Sequence, residues 1–129
     1  MRKTKIRGKN LYSQWIFGHP FYALEENFKK GVVNAIQIEF DDIQQVKTET
    51  ITEFTQKFDK NGIEIFEGDI ISGCSFNGSY AIGKVVLNGE NNFVIYPIGK
   101  FLEGYCELEN NNNFFTVIGN IFDNPEMLK

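Results

Sequence analysis

The chain has 129 residues, 42% of them apolar and 23% charged, and a net charge of −4. That length and composition can bury a real core without a metal or disulfide staple and exclude a disordered chain. No apolar run reaches the length of a membrane span, no apolar stretch follows the basic start Met1–Lys5 to make a signal peptide, and the acidic balance argues against a dedicated nucleic-acid binder.

Lys3, Lys5, Arg7 and Lys9 recur at every second position, so in a strand they share one face. The plain reading is an edge strand guarded by charge. The same face suits phosphate contact, or the meeting of this basic arm with the acidic body of a second copy. Residues 1–57 carry nine Lys/Arg against seven Asp/Glu, whereas residues 58–129 carry four against ten. An aromatic cluster follows: Tyr12, Trp15, Phe17, Phe21 and Tyr22, with Trp15 and Phe17 on one strand face. It suits the core of an N-terminal part, or stacking on bases or a protein partner. Lys5, Arg7, Lys9, Tyr12, Trp15 and Tyr22 are therefore the candidate partner or nucleic-acid contacts.

Gly18-His19-Pro20 reads as a turn. His19 is the single histidine, and sequence brings no metal-ligating or catalytic partner to it. Ala23 to Lys30 suits two helical turns ended by Gly31. Ile36 to Phe40 alternates as a strand, and Thr48 to Phe54 reads as extended.

Beyond residue 57 the punctuation is clearer. Asn61-Gly62, Asn77-Gly78 and Asn88-Gly89 are turn signals, because Asn-Gly tolerates the positive φ of tight hairpins. They bracket strands at Ile63–Phe66, Asp69–Phe76, Ser79–Leu87 and Asn92–Pro97, with a kink at Glu67-Gly68 and a last strand over Phe114–Phe122. Asn110–Asn113 reads as a solvated loop tip. The tail reads as a short helical turn with Asn124 at its N-cap and Pro125 at the first helical position. Phe supplies 13 residues, and aromatic enrichment favours strands. The class is mainly β, a small meander closing into a barrel or sandwich, with a β-rich part over residues 1–57 and the barrel over 58–129, folded as one body.

Reaction chemistry is harder to find. Gly78 to Lys84 has the G-x-x-x-x-G-K spacing of a phosphate loop, but Val85 stands where a magnesium-binding hydroxyl belongs and the segment continues as a strand. Asp59-Lys60-Asn61-Gly62 resembles half a calcium loop, with Ile70 where the closing Glu should be. Cys74 and Cys106 form no C-x-x-C pair and read as reduced, with Cys74 a buried strand residue. Glu64, Glu67 and Asp69 crowd a kink, where Asp69 suits local backbone N–H groups better than catalysis.

Two long stretches carry a family resemblance. Phe58-Asp59-Lys60-Asn61-Gly62-Ile63-Glu64-Ile65-Phe66-Glu67-Gly68-Asp69-Ile70-Ile71 resembles the central signature of the YopX family of small phage and prophage proteins. Val117-Ile118-Gly119-Asn120-Ile121-Phe122-Asp123-Asn124-Pro125-Glu126-Met127-Leu128 resembles its closing signature. Lys5-Ile6-Arg7-Gly8-Lys9 and Trp15-Ile16-Phe17-Gly18 are similar to its opening. One departure bears on the backbone: members often carry Gly-Gln before and Gly-Leu after the aromatic-Thr pair, and here Thr52-Glu53 and Gln56-Lys57 flank Phe54-Thr55. The resemblance implies a mainly β protein with an SH3-like barrel, encoded by phage or prophage and acting in the bacterial cytoplasm, with no catalytic residues to carry over. The leading expectation is a non-enzymatic, self-associating interaction module without cofactor or metal, whose partner is a second copy or a host or phage protein. Phe114, Phe122, Met127 and Leu128 are the candidate oligomer contacts. The alternatives are a nucleic-acid-binding accessory protein using the basic arm and, last, a small hydrolase-like enzyme.

Overall fold

The structure, a computed structural model, describes residues 5–21, 35–39, 42–76, 78–90, 92–99, 102–108 and 114–128. It is mainly β, with eleven strands among those residues: β1 Ile6–Lys9, β2 Trp15–Phe21, β3 Ala35–Glu39, β4 Asp42–Gln45, β5 Thr52–Phe58, β6 Glu64–Phe66, β7 Asp69–Phe76, β8 Ser79–Leu87, β9 Phe93–Pro97, β10 Cys106–Glu107 and β11 Thr116–Asn120. The chain divides into two compact units, residues 1–54 and 55–129. The helical turns expected at Ala23–Lys30 and the loop tip at Asn110–Asn113 lie outside the described residues.

In the first unit the strand order is β4-β3-β2-β1-β5, with antiparallel pairing throughout. The basic strand is thus interior, between β2 and β5, and not the edge strand its charge pattern suggested. Lysines and arginine fit there because their stems lie along neighbouring side chains while the charged ends reach polar or aromatic partners. Gly18, His19 and Pro20 do not turn the chain but continue β2, where His19 faces Gln37 in register. The reversal between β1 and β2 comes at Asn10. Its side-chain oxygen accepts from the Tyr12 and Gln14 N–H groups at 2.9 and 3.0 Å, an Asx turn that leaves Ser13 at φ 61°. Ile6, Ile36 and Val46 form the buried cluster, with Ile16 and Ile51 packed against it.

The extended stretch expected from Thr48 begins later. Thr48–Thr50 is a 3₁₀ turn, because the Thr50 hydroxyl donates back to the Lys47 carbonyl at 2.7 Å and accepts from Lys9 N–H at 2.8 Å. β5 then runs past the expected end to Phe58. Gln56, where the resemblance leads one to look for glycine, sits at φ 69° inside this strand. The Thr55 hydroxyl spans it, donating to the Ile65 carbonyl at 2.7 Å and accepting from Lys57 N–H at 3.2 Å.

In the second unit five antiparallel strands follow the order β10-β9-β8-β7-β11. β7 and β8 keep the bounds read from sequence, and turns stand at Asn61-Gly62 and Asn88-Gly89, while Asn77 lies outside the described residues. The Asn88 turn works through its side chain, whose oxygen accepts from the Glu90 and Asn92 N–H groups. Register shifts fall between Ile71 and Cys74 on β7 and between Val117 and Gly119 on β11. Such bulges bend and twist a strand. The bending brings β10 back against β7 although β9 and β8 separate them in the order, and Cys106 packs on the cluster that holds Cys74. Ile65, Ile71, Phe76, Val85, Ile95, Leu108 and Phe115 complete that core.

Gly73 makes one bulge possible. It takes φ +89°, and a Cβ built there would lie 1.8 Å from the Phe114 carbonyl oxygen. Gly83 is excluded from phosphate chemistry by the same kind of measurement: it is buried mid-strand, with its absent Cβ 2.4 Å from Ile95 Cγ2 and 2.7 Å from the Tyr96 oxygen. The last strand is shorter than expected, ending at Asn120, and the tail forms a 3₁₀ turn over Pro125–Leu128. The Asn124 side chain reaches back, accepting from Asn120 N–H at 3.2 Å.

Candidate functional site

The opening segment builds a cationic and aromatic face on the first unit. Alternation along β1 turns Ile6 and Gly8 inward. Ile6 joins the buried cluster, and a Cβ on Gly8 would press Val46 and Ile51 at 3.1 Å. Lys5, Arg7 and Lys9 take the other face. Register places Phe17 opposite Arg7 and Trp15 opposite Lys9, so both aromatics stand among the cations. The Arg7 guanidinium lies 4.6 Å from the centre of the Trp15 ring and the Lys9 ammonium 5.2 Å from it, while Lys5 lies 5.9 Å from the Phe54 ring. Each geometry is within cation–π range.

Arg7 is only 6% exposed, and its Nε donates to the Thr52 hydroxyl at 3.0 Å. The group best placed chemically to grip a phosphate is therefore turned to an indole and a threonine. Of the six residues singled out from sequence, Lys5, Arg7, Lys9 and Trp15 share this face. Tyr12 stands apart in the Asn10 turn at 83% exposure, and Tyr22 lies outside the described residues. Phe54 belongs with them and was missed, because nothing in the local pattern pairs β5 with β1.

In the second unit the two long signatures hold each other. Asp59 is 1% exposed. Its Oδ1 accepts from the Asn61 and Ile63 N–H groups at 2.8 and 2.9 Å, and its Oδ2 accepts from Val117 N–H, 58 residues away, at 3.0 Å. Beside it Lys60 N–H donates to the Phe115 carbonyl at 3.0 Å. β11 ends the sheet order, so these bonds occupy backbone groups of an edge that would otherwise invite another strand. Burial alone would push the Asp59 carboxyl up. The three N–H donors, with Lys60 nearby, outweigh that and hold it below its ordinary value of 3.8.

Asp69, equally buried, accepts from Phe66 N–H at 2.8 Å and closes the kink at Gly68, as its place in the sequence suggested. Asn120 takes the same role in the closing signature. Its Oδ1 accepts from the Phe122 and Asp123 N–H groups and its Nδ2 donates to the Asp123 carboxylate. Cys74 is the buried strand cysteine expected. No group of three or more metal-ligating side chains occurs among the described residues.

Of the residues singled out for subunit contact, Phe114 is 66% exposed just before β11, Leu128 is exposed on the tail, and Phe122 and Met127 are half-buried. Tyr80, Tyr96 and Tyr105 add further exposed aromatic surface to the same unit, the last two with ring centres 6.1 Å apart.

The family model described as YopX protein matches residues 8–129. Among solved structures, the crystal structure of protein EF1440 from Enterococcus faecalis is similar at 23% sequence identity, with 98% of each chain covered and a TM-score of 0.62, which speaks for the fold alone. No curated protein matches the chain. No helix among the described residues is long and apolar enough to cross a membrane.

Proposed function

The chain belongs to the YopX family, and from that premise we propose a non-enzymatic interaction module, built on an SH3-like barrel and associating with copies of itself. It is phage or prophage encoded and acts in the cytoplasm of the bacterial host. The observation that carries this reading is the large apolar side chains standing in solvent on the second unit, Phe114 and Tyr80 foremost. Such side chains gain by being covered, and self-complementary burial by a second copy is the simplest cover. Asp59 and Asp69, the buried carboxylates of the central signature, are meanwhile occupied with backbone N–H groups.

Light scattering over a hundredfold range of concentration tests the proposal, with Phe114→Ser as the paired variant. The expected result is a mass that rises with concentration for the natural chain and a dissociation constant at least tenfold weaker for the variant. A strict monomer at the highest concentration overturns self-association.

Nucleic-acid binding by the basic strand is the second reading, favoured by the cations of β1 ranged along Trp15. The burial of Arg7 weighs against it. A titration with single-stranded DNA at two salt concentrations decides: phosphate contact requires affinity that falls steeply with salt.

A further inference from the structure

We propose that Cys74 and Cys106 are an oxidisable thiol pair which hydroperoxides convert to a reversible disulfide tying β10 to β7. The two residues are 32 apart in sequence and two strands lie between theirs in the sheet order, yet β10 lies against β7 and Cys106 packs on the buried cluster that holds Cys74. Neither is held in a disulfide. The Cys106 thiol is close enough to act on the Cys74 thiol. Their surroundings differ. Cys74 has no exposed surface and lies near the Ile71 carbonyl at 4.0 Å, whereas Cys106 is half-buried on a two-residue end strand and lies 3.7 Å from the Glu107 carbonyl. A strand that short can shift to meet the narrow geometry a disulfide demands.

The difference in setting orders the chemistry. Burial, with Cys106 beside it, pushes the Cys74 thiol up to about 12. Cys74 therefore keeps its proton and resists direct oxidation, because the thiolate is the reactive form. Cys106, nearer to solvent, reacts first. Its sulfur attacks hydrogen peroxide, an S–O bond forms, the O–O bond breaks, and water leaves with the thiol proton. The Cys74 sulfur then attacks the Cys106 sulfenic acid. The S–S bond forms, the S–O bond breaks, and the departing hydroxyl takes the Cys74 proton as a second water. Two thiols give up two electrons and one peroxide becomes two waters. Exchange with a small thiol reverses the bridge.

The test treats the folded full chain with stoichiometric hydrogen peroxide, followed by intact mass, alkylation in denaturant and non-reducing peptide mapping. The expected result is a loss of two hydrogens, a peptide pair joined through Cys74 and Cys106, no alkylatable thiol, and full reversal by dithiothreitol. Cys74→Ser is expected to stop at a dimedone-reactive sulfenic acid on Cys106. The proposal is overturned if Cys106 gains oxygen or links two chains while Cys74 stays alkylatable in denaturant, or if neither thiol reacts.

Discussion

In the second unit two carboxylates lie inside: Asp59 and Asp69 are each 1% exposed, their oxygens accepting backbone N–H groups. In the first unit the buried cluster is apolar, and the cations of β1 lie on the opposite side of their strand against Trp15 and Phe54. One unit uses ionisable groups to close turns, where each replaces water for several backbone donors. The other ranges them over aromatic rings, with Arg7 buried against Trp15 and Thr52 and Lys5 and Lys9 half-buried, where each cation meets one ring and replaces water for fewer backbone groups. The contrast predicts that single changes cost more in the second unit than in the first.

The steepest loss is expected at Gly73. Alanine there must adopt φ +89° and displace the Phe114 carbonyl. Positive φ and overpacking together cost about 4 kcal/mol, a large share of the roughly 5 to 15 kcal/mol that holds a domain folded. Urea denaturation of Gly73→Ala followed by far-ultraviolet circular dichroism measures it. A variant within 1 kcal/mol of the natural chain, taking that as roughly the median cost of a point change, would mean that the bulge is not a fixed feature of β7.

Next comes Asp59→Asn. The amide keeps an acceptor for Asn61 and Ile63 but presents a donor to Val117 N–H, at a cost of about 2 to 3 kcal/mol. The acid behaviour gives an independent reading. Because the folded carboxyl titrates below its ordinary value of 3.8, its contribution is complete above that value and disappears as pH falls through the folded one. Stability measured from pH 6 down to 2.5 should therefore fall less in Asp59→Asn than in the natural chain. Equal slopes would move the acid sensitivity to another group.

These two sites also show what a sequence discloses. Asn61-Gly62 announced a turn and Asp69 announced its local bonds, because both act within four residues. That Asp59 also holds Val117 was hidden, since a partner 58 residues away leaves no local mark. The β1 face was half legible: period-two spacing placed Lys5, Arg7 and Lys9 together, but the flanking strands that make β1 interior could not be read from it. Over Thr48 to Phe54 the Thr- and Ile-rich composition is right about Thr52–Phe54, which lie in β5, and wrong about Thr48–Thr50, where the Thr50 hydroxyl closes a 3₁₀ turn.

A smaller loss tests the first unit. Arg7→Met keeps the stem over the indole and removes the charge and the bond to Thr52. We expect a cost of about 1 to 2 kcal/mol and a shift in the fluorescence of Trp15, the chain's single tryptophan. Arg7→Lys should recover little, because an ammonium lacks the planar face and the fixed Nε donor. Full rescue by lysine would show that charge alone matters there.

The smallest effect runs the other way and falls on β5, the strand that begins in the first unit and ends in the second. Gln56 is a side-chain-bearing residue at φ 69°, bracketed by the bond from Lys57 N–H to the Thr55 hydroxyl, which itself donates to the Ile65 carbonyl. The left-handed conformation costs such a residue roughly 1 to 2 kcal/mol. Glycine would escape that cost and lose about 0.5 to 1 kcal/mol to the greater freedom of its unfolded chain. The balance favours Gln56→Gly by about 0.5 to 1 kcal/mol, a gain where glycine inside a strand ordinarily weakens it. Paired urea denaturation of Gln56→Gly and Gln56→Ala separates the causes. Glycine should stabilise while alanine, which keeps the strained φ, should not. If both variants lose stability alike, the glutamine side chain contributes through its own contacts and the strain at this position is not what limits the strand.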